Sequence, residues 1–372
     1  MIKKIIFQAD FEGQGIVNFD GDEQRNFLNE HCGTKYFNNN YKLGKKVFTK
    51  KENASEEPSF IDKNGKEYFN NTDYLLKISS TCLRNAIFAN DANVTNPRIC
   101  IASPILAYYV SSIQGLLRGY TAMEYGNFAI TKKSAISCPC AIQTNNSLSY
   151  VELQSNSAPK ESGGDDKSST SLYFTEKVGD ITYMTKGFIS LQELQFLSCD
   201  PFFGRIMFNP QWLEGENPLI DRMFLQHYGA TPYKKGYFSS STATLTNHLG
   251  EQGLLFNEDF VIFLVKEQIK RLLNININRA EGYAVIKSLK IKFIENGFNP
   301  FKEEGWVEVN LENYEKIIDE AFSEKGMFQH YEEVKEEDVS MTKGEINKLY
   351  KEKEEEKKEK ENKKKSKKSK TE

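Results

Sequence analysis

Residues 168–198 read SSTSLYFTEKVGDITYMTKGFISLQELQFLS, and this stretch in the middle of the chain decides the fold. Thr, Tyr, Phe and Ile are frequent on both sides of Val178-Gly179-Asp180, where Gly and Asp supply the residues that a tight turn requires. We therefore predict two long strands joined by a turn at these three residues. A polar run, Lys167-Ser168-Ser169-Thr170-Ser171, leads into the first strand. It has hydroxyls and one cation but almost no apolar bulk, which suits a surface facing a charged polymer.

Further elements are predicted on both sides of this hairpin from hydrophobic period and capping residues. The strands are predicted at residues 1–11 (ended by Gly13-Gln14-Gly15), 75–78 and 283–293. The helices are predicted at residues 82–88 (capped by the hydroxyls before it), 105–117, 258–273 and 306–322. Without the polar insertions between them, the order is strand, helix, strand, strand, helix, strand. This split βαβ order predicts an α+β, ferredoxin-like (RRM-like) core, a topology whose sheet face binds single-stranded RNA.

The insertions and the charged end of the chain set the predicted domain boundaries. The core is predicted to comprise residues 1–19, 74–120, 167–202 and 254–298. The insertions span residues 20–73, 121–166 and 203–253, and residues 299–331 form a C-terminal extension. Residues 332–372 are expected to be a solvated Lys/Glu-rich tail, because the last 22 residues contain no apolar side chain.

Composition limits the class of protein. The chain has 372 residues, 12% of them aromatic, which is enough for a substantial core, and no apolar run long enough to span a membrane. Six scattered cysteines favour a reducing cytoplasm over a disulfide framework. The net charge is −3, and since residues 351–372 carry 11 Lys and 7 Glu, the rest of the chain carries −7. An RNA-binding function must therefore depend on local basic patches.

Metal and cofactor chemistry find little support in the sequence. Cys138-Pro139-Cys140 invites a zinc interpretation, but zinc sites need a second pair of ligands, and His31 and Cys32 are far away along the chain. The four histidines form no pattern with Ser and Asp that would suggest nucleophilic catalysis. We expect no metal and no cofactor.

Several motifs, taken in order, resemble the Cas-seven family of the RAMP superfamily, which forms the backbone of CRISPR Cascade surveillance complexes. The type I-F variant is the most similar. The resemblance covers about two thirds of the chain, residues 1–120 and 167–295. It is carried by the hairpin and by residues 13–19 (GQGIVNF), 78–88 (ISSTCLRNAIF), 113–120 (IQGLLRGY) and 279–283 (RAEGY).

The resemblance implies a non-catalytic, hand-shaped subunit. The core would be the palm, two insertions would form fingers or a web, and residues 203–253 would form a thumb. Copies of the subunit would polymerise along a CRISPR RNA and present it to target DNA in antiviral defence. The implied partners are CRISPR RNA, target DNA paired to the guide, other copies of the chain, Cas-five-like and Cas-six-like subunits, and a helicase-nuclease recruited to the complex.

The candidate RNA-binding residues are cations, amides, hydroxyls and aromatics at element ends. Arginines at helix ends can fork onto phosphates, although a surface salt bridge is the alternative for each of them. Hydroxyls at a helix start can bind phosphate or simply cap the helix. The glycines around Gln14 allow a close approach to a ligand, or an ordinary turn. The aromatics of residues 233–238 can stack on bases or pack in a core. The candidates are Gln14, Ser79, Ser80, Thr81, Arg84, Gln114, Arg118, Lys167, Ser168, Ser169, Lys234, Lys235, Tyr237, Phe238 and Arg279.

An enzymatic alternative remains open at this point. Related backbone subunits cut RNA with an acidic residue in the loop after the first strand, and Asp20 and Asp22 lie about where that residue would be. A RAMP-type ribonuclease would need one of them beside the path of the target RNA. Resemblance to the type I-F variant favours the scaffold.

Overall fold

The structure is a computed structural model. It describes residues 1–15, 17, 48–50, 60–61, 67–68, 74–88, 103–120, 131–145, 149–156, 171–178, 180–199, 207–240, 250–279, 282–295 and 304–336. These residues form a mixed α/β protein with antiparallel sheets. Among them, no helix is both long enough and apolar enough to cross a membrane.

Strands and helices alternate irregularly along the chain. The strands are β1 (Ile2–Gly15), β2 (Phe48–Lys50), β3 (Phe60–Ile61), β4 (Glu67–Tyr68), β5 (Tyr74–Ile78), β6 (Ile136–Ser137), β7 (Ala141–Gln143), β8 (Ser149–Asn156), β9 (Ser171–Val178), β10 (Asp180–Ser190), β11 (Phe196–Ser198), β12 (Tyr233–Ser240), β13 (Glu251–Phe256), β14 (Asn276–Arg279), β15 (Gly282–Glu295), β16 (Val307–Val309) and β17 (Tyr331–Val334). The α-helices are α1 (Ser80–Phe88), α2 (Ser103–Ser111), α3 (Ile113–Arg118), α4 (Leu191–Gln195), α5 (Leu219–Tyr228), α6 (Glu258–Leu273) and α7 (Tyr314–Lys325), and Pro210–Leu213 is a 3₁₀-helix.

The largest sheet is built around β1. Its order is β14-β15-β1-β10-β7-β5-β2, with β16 pairing β15 and β6 pairing β10. Strand β1 is antiparallel to β10 on one side and to β15 on the other, and β10 is antiparallel to β7. The two longest pairings of the sheet therefore both involve β1, so its side chains lie at the centre of the described sheet.

The two faces of this sheet differ because successive side chains of a strand point to opposite sides. In β1 the odd positions from Ile5 to Gly13 are buried, and Phe7 and Phe11 among them are fully buried. The even positions from Lys4 to Gln14 are half-buried or exposed, and β10 shows the same alternation. One face of the sheet is thus part of a core, and the other is available to solvent along most of β1 and β10.

The chain divides into two compact units. The first comprises Met1–Asn96, Ser134–Leu191 and Ile262–Phe328, and it contains the whole β1-centred sheet. The second comprises Pro97–Lys133, Gln192–Val261 and Gln329–Glu372.

The second unit has its own sheet and its own aromatic core. The sheet order is β11-β13-β12-β17, and Phe196, Phe238 and Tyr331 pack together on it. A second aromatic group surrounds Phe224 of α5, whose ring lies 4.8 Å from that of Tyr233 and 5.7 Å from that of Phe256. Both groups take residues from the proposed thumb segment, so that segment contributes core side chains to this unit.

The predicted hairpin is wrong in its pairing. Both strands form, but β9 pairs with β8 in a separate two-stranded sheet, and β10 pairs with β1. The physical reason is that a strand has only two edges. One edge of β10 is taken by β1 and the other by β6 and β7, so no edge is left for β9.

Four further predictions require correction. Gly13-Gln14-Gly15 does not end the first strand, which runs on to Gly15. The helix predicted over residues 105–117 is two helices, because Ser112 has extended backbone angles and caps α3. The segment predicted as a helix over residues 306–322 begins with β16, and α7 starts only at Tyr314. The tail predicted from residue 332 starts later, because Tyr331–Val334 pairs with β12.

Helix and strand positions that depend on local signals are confirmed. The Ser79 hydroxyl accepts a hydrogen bond from the Cys82 backbone N–H at 3.2 Å, as expected for a cap of α1. Helix α6 spans the predicted residues and buries the stripe Phe260, Leu264, Ile269 and Leu272. The last predicted strand is found as β15.

Candidate nucleic-acid interface

A row of four exposed polar and aromatic residues crosses one end of the β1-centred sheet. Gln14 of β1 is the cross-strand partner of Asp180 in β10 and of Tyr283 in β15. Tyr283 is in turn the partner of Asn278 in β14. All four side chains are exposed, and residues directly opposite in a sheet share a face. We call Asp180, Gln14, Tyr283 and Asn278 the Gln14 row.

Gly13 allows the strands under this row to lie close together. A Cβ atom at Gly13 would lie 2.1 Å from the carbonyl oxygen of Tyr283, which no side chain tolerates. The glycine is therefore needed for the approach of β15. This differs from the predicted approach of a ligand, but it is the reason that Gln14 and Tyr283 become neighbours.

Hydrogen bonds hold the Asp180 end of the row. The Gln14 amide donates to the Asp180 carboxylate at 3.1 Å, so the two side chains orient each other. Asn145 fixes the backbone beside them, because its amide donates to the Asp180 carbonyl at 2.8 Å and its side-chain oxygen accepts from the Thr182 N–H at 3.2 Å. Thr144 and Thr182 share a hydroxyl hydrogen bond of 2.7 Å. This end of the sheet thus presents amides, hydroxyls and a carboxylate in defined positions.

The start of α1 lies at the same end of the sheet. The Cys82 thiol lies 4.0 Å from the carbonyl oxygen of Val17, just beyond β1, and α1 lies against β14. The buried side of α1 contains Cys82, Leu83, Ile87 and Phe88. Ser80 and Thr81 are exposed in the first turn, and Arg84 follows one turn later on the same side. The structure therefore brings Ser79, Ser80, Thr81 and Arg84 to the end of the sheet that carries Gln14.

The rest of the open face carries charges of both signs. Lys287, the extra residue of a bulge in β15, forms an ion pair with Glu12 at 3.2 Å. Asp10 accepts a hydrogen bond from the Ser288 hydroxyl at 2.9 Å. At the far end Lys292 is buried, and its ammonium lies 5.7 Å from the centre of the Trp306 ring. Exposure therefore increases along β15 from Lys292 toward the Gln14 row.

Gln114 and Arg118 belong to the second unit. Both lie on α3, whose start is held by the Ser112 hydroxyl accepting from the Gly115 N–H at 3.1 Å. Gln114 is buried, and its side-chain oxygen has no hydrogen-bond partner among the described residues. Arg118 is half-buried in the last turn, where a cation interacts favourably with the helix dipole. Gly119 follows with a positive φ of 70°, which favours glycine, and ends the helix.

Strand alternation separates the four predicted residues of β12. Lys235 and Tyr237 share one face, whereas Lys234 and Phe238 share the other. Phe238 is 1% exposed and its ring lies 5.6 Å from that of Phe196, so the predicted role of Phe238 in stacking on RNA is wrong. The Lys235 ammonium is paired with the Asp221 carboxylate, which also accepts a 2.6 Å hydrogen bond from Tyr233. Lys234 is also exposed, but it forms no ion pair with the described residues.

Other candidates are placed only in part or not at all. Arg279 is the last residue of β14, paired with Gly282, next to the Gln14 row. Lys167, Ser168 and Ser169 lie outside the described residues, as do Asp20 and Asp22 of the ribonuclease alternative. Asp180, Asn278 and Tyr283 are site residues that were not predicted from the sequence. The register of β1, β10, β14 and β15 places them beside Gln14. A first strand predicted to run unbroken through Gly13 would have indicated these neighbours.

No metal centre is found in the described part of the chain, where no three His, Cys, Asp or Glu side chains cluster. Cys138 and Cys140 lie between β6 and β7. Burial raises the pKa of the Cys138 thiol to about 12, although a hydrogen bond with Thr185 opposes the shift.

Comparison with known proteins points to one family. A family described as "Type I-Fv CRISPR-associated protein Cas7fv-like" matches residues 1–313. No curated protein matches the chain. A solved structure described as "CRISPR RNA-guided surveillance complex" is 9% identical, with a TM-score of 0.33, covering 80% of this chain and 72% of its own. Another, described as "CRISPR RNA-guided surveillance complex, pre-nicking", is 8% identical, with a TM-score of 0.36 and 80% of each chain covered. At these TM-scores neither structure defines the fold.

Proposed function

This chain belongs to the Cas7fv-like family of type I-Fv CRISPR-associated proteins, and from this premise we propose that it is the CRISPR RNA-binding backbone subunit of a Cascade-like surveillance complex. The observation that carries the proposal is the family match, which spans residues 1–313 of 372. The subunit binds guide RNA as a non-catalytic scaffold and presents it for pairing with target DNA in antiviral defence.

The geometry of the first unit supports RNA binding. An antiparallel sheet with one open face can bind unstacked bases, as RRM domains do. The Gln14 row provides amides and an aromatic ring at one end of this face. The start of α1 adds exposed hydroxyls and an arginine for phosphate oxygens, since backbone N–H groups at a helix start favour anions. Base contacts and phosphate contacts would therefore lie side by side.

The order of the strands supports a ferredoxin-like palm. In that fold the fourth, first, third and second strands are neighbours in this order, all antiparallel. The order β15-β1-β10-β7 corresponds to it if β7, with β6, takes the place of the second strand. The strand predicted for that place, β9, would then belong to a finger together with β8. Residues 203–253 remain our proposal for the thumb. Lys234 and Tyr237, which lie on opposite faces of β12, remain proposed RNA contacts of that segment.

We infer the partners from the same premise. The chain would assemble with further copies of itself on one CRISPR RNA, with Cas-five-like and Cas-six-like subunits at the ends of the complex. A helicase-nuclease would be recruited to the complex to cut target DNA, which leaves no cleavage step for this subunit. The proposed site of action is the cytoplasm, where guide RNA is produced.

The proposal is tested by expressing the full chain with and without a CRISPR repeat-spacer array. With the array, we expect the purified protein to carry repeat-spacer RNA and to form particles of several subunits by light scattering. Ribonuclease treatment should reduce these particles to monomers, since RNA is the scaffold that orders them. Sequencing of the bound RNA identifies it. A protein that stays monomeric at moderate salt, with no absorbance at 260 nm beyond that of its aromatic residues, would refute the proposal.

A further inference from the structure

Tyr283 is an exposed aromatic side chain at a place where strand residues usually pack. It is the second residue of β15 and remains 45% exposed. Its neighbours in the Gln14 row, Gln14 and Asn278, are also exposed. Single exposed aromatics are common on protein surfaces, so exposure alone identifies no site. The surroundings of the ring decide the matter.

Among the described residues no group covers the ring of Tyr283, unlike the rings of Tyr108 and Phe188. Tyr108, which is 43% exposed, has the His227 ring 4.3 Å from its own. Phe188 on the open face of the sheet has the Lys4 ammonium 4.4 Å from its ring centre. The Tyr283 side chain makes no ring contact, cation contact or hydrogen bond with the side chains of the described residues. One face of its ring is therefore available to a planar ligand.

The flanking side chains fit the edge of a nucleobase. Neighbouring strands lie about 4.8 Å apart, so Gln14 and Asn278 lie about that far to either side of Tyr283. Amides both donate and accept hydrogen bonds, as the edges of bases do. A base stacked on the ring would place its edge within reach of one amide. The Gln14 amide is already oriented by Asp180, which makes its position defined before binding.

Groups that can bind phosphate lie at the same end of the sheet as Tyr283. Helix α1, with exposed Ser80 and Thr81, lies against β14, the strand that carries Asn278. Lys287 is 57% exposed on the same face of the sheet. An aromatic ring beside cations and hydroxyls is the combination that binds single-stranded nucleic acid.

From this arrangement we propose that Tyr283 is a base-stacking site for single-stranded RNA, with the amides of Gln14 and Asn278 reading the edge of the stacked base. The proposal rests on the proposed function and assigns to it a residue and a type of contact. The site holds one unpaired nucleotide of the guide.

The test measures the affinity of wild-type and variant proteins for a fluorescent single-stranded RNA by anisotropy, at several salt concentrations. Loss of one stacked base costs about 1–3 kcal/mol, so we expect Tyr283→Ala to bind roughly 5- to 150-fold more weakly. Tyr283→Phe keeps the ring and should bind as the wild type does. Tyr108→Ala, which removes an equally exposed tyrosine whose ring is already covered, should also leave affinity unchanged.

Two further readouts separate stacking from a general disturbance. Stacking releases no counterions, so the slope of log affinity against log salt should be the same for Tyr283→Ala and wild type. Tyr283→Trp should lose tryptophan fluorescence when RNA is added, because a stacked base quenches it. If wild type binds RNA while Tyr283→Ala binds equally well, or if Tyr283→Trp is not quenched, the stacking site is refuted and the proposed function survives. If wild type binds no RNA, the proposed function fails with it.

Discussion

At the scale of single residues, Lys132 is a buried ammonium group in the second unit. Its Nζ atom donates to the carbonyl oxygens of Glu193 at 3.0 Å and Lys133 at 3.3 Å, and the residue is 4% exposed. Its backbone also pairs with that of Tyr120, which follows the helix that carries Arg118. Burial lowers the pKa of Lys132 to about 8, although the nearby Glu193 carboxylate acts in the opposite direction.

This lowered pKa predicts a specific dependence of stability on pH. Between pH 8 and the ordinary pKa of lysine, 10.5, the folded chain has released the proton and the unfolded chain still binds it. The free energy of unfolding therefore gains from Lys132 as pH rises through this window, by at most about 1.4 kcal/mol per pH unit. We expect Lys132→Met to lack this gain. The free energy of unfolding of wild type, relative to that of the variant, should therefore rise from pH 8 to pH 10.

Urea unfolding at pH 7, 8, 9 and 10 measures the difference. Other groups titrate in the same range, so only the difference between wild type and variant is informative. Lys133→Met is the matched control, because it makes the same change at the exposed neighbouring lysine. Parallel curves for wild type and Lys132→Met would contradict the assignment.

At the scale of elements, the C-terminal strand β17 is an integral part of the second unit. It lies beyond residue 313, where the family match ends. Its backbone pairs with Tyr237–Ser240 of β12, and the Tyr331 ring stacks on that of Phe196 with centres 4.5 Å apart. The His330 N–H donates to the buried Gln195 side chain at 2.9 Å. The segment after the family match therefore contributes the edge strand β17 to the sheet of the second unit.

We expect Tyr331→Ala to lower the free energy of unfolding by about 3 kcal/mol, because it removes a large aromatic ring from a packed cluster. Glu333→Ala, on the same strand with an exposed side chain, should change it by less than about 0.5 kcal/mol. Deleting residues 351–372 should also leave folding and RNA assembly intact, because that segment has no apolar residue to bury. Denaturant unfolding measures the stability of the three variants, and light scattering with guide RNA measures the assembly of the deletion variant. If Tyr331→Ala were as stable as wild type, β17 would not contribute to the core.

The elements also show what the sequence could and could not predict. Helices α1 and α6 were predictable because a capping hydroxyl and an apolar stripe are local signals. The partner of β9 was not, because pairing depends on which edges of β10 remain free after β1, β6 and β7 have paired with it. Gly13 was misinterpreted as a strand end because close contact between two backbones leaves no trace in the sequence except the glycine itself.

The same reasoning applies to the candidate site. Ser79, Ser80, Thr81 and Arg84 were predictable from the start of a helix, and Gln14 from its glycines. Tyr283 and Asn278 were not, since they become neighbours of Gln14 only through the register of three strands. Phe238 shows the opposite error, because an aromatic between lysines looked like a stacking residue and is a core residue.

At the scale of the whole molecule, the candidate RNA-binding residues are divided between the two units. Arg84 belongs to the first unit and Arg118 to the second. Both are half-buried and lie on different helices, α1 and α3. If one RNA contacts both units, each arginine neutralises its own phosphate, and the two contacts are independent. If RNA contacts only one unit, only one of the two arginines affects binding.

We expect Arg84→Ala and Arg118→Ala each to weaken RNA binding and to lower the slope of log affinity against log salt by about one unit. The reason is that each phosphate contact releases about one counterion from the RNA, and a variant that lacks the contact releases one fewer. The double variant should lower the slope by about two. Lys316→Ala is the matched control: it removes an exposed cation of α7, paired with Glu320, outside the proposed surface. Its slope should equal that of wild type.

Anisotropy titrations at several salt concentrations provide the slopes, and thermal unfolding checks that each variant is folded. An unchanged slope in both single variants would exclude the two arginines as phosphate ligands. A change in only one would confine the RNA to the unit that contains it.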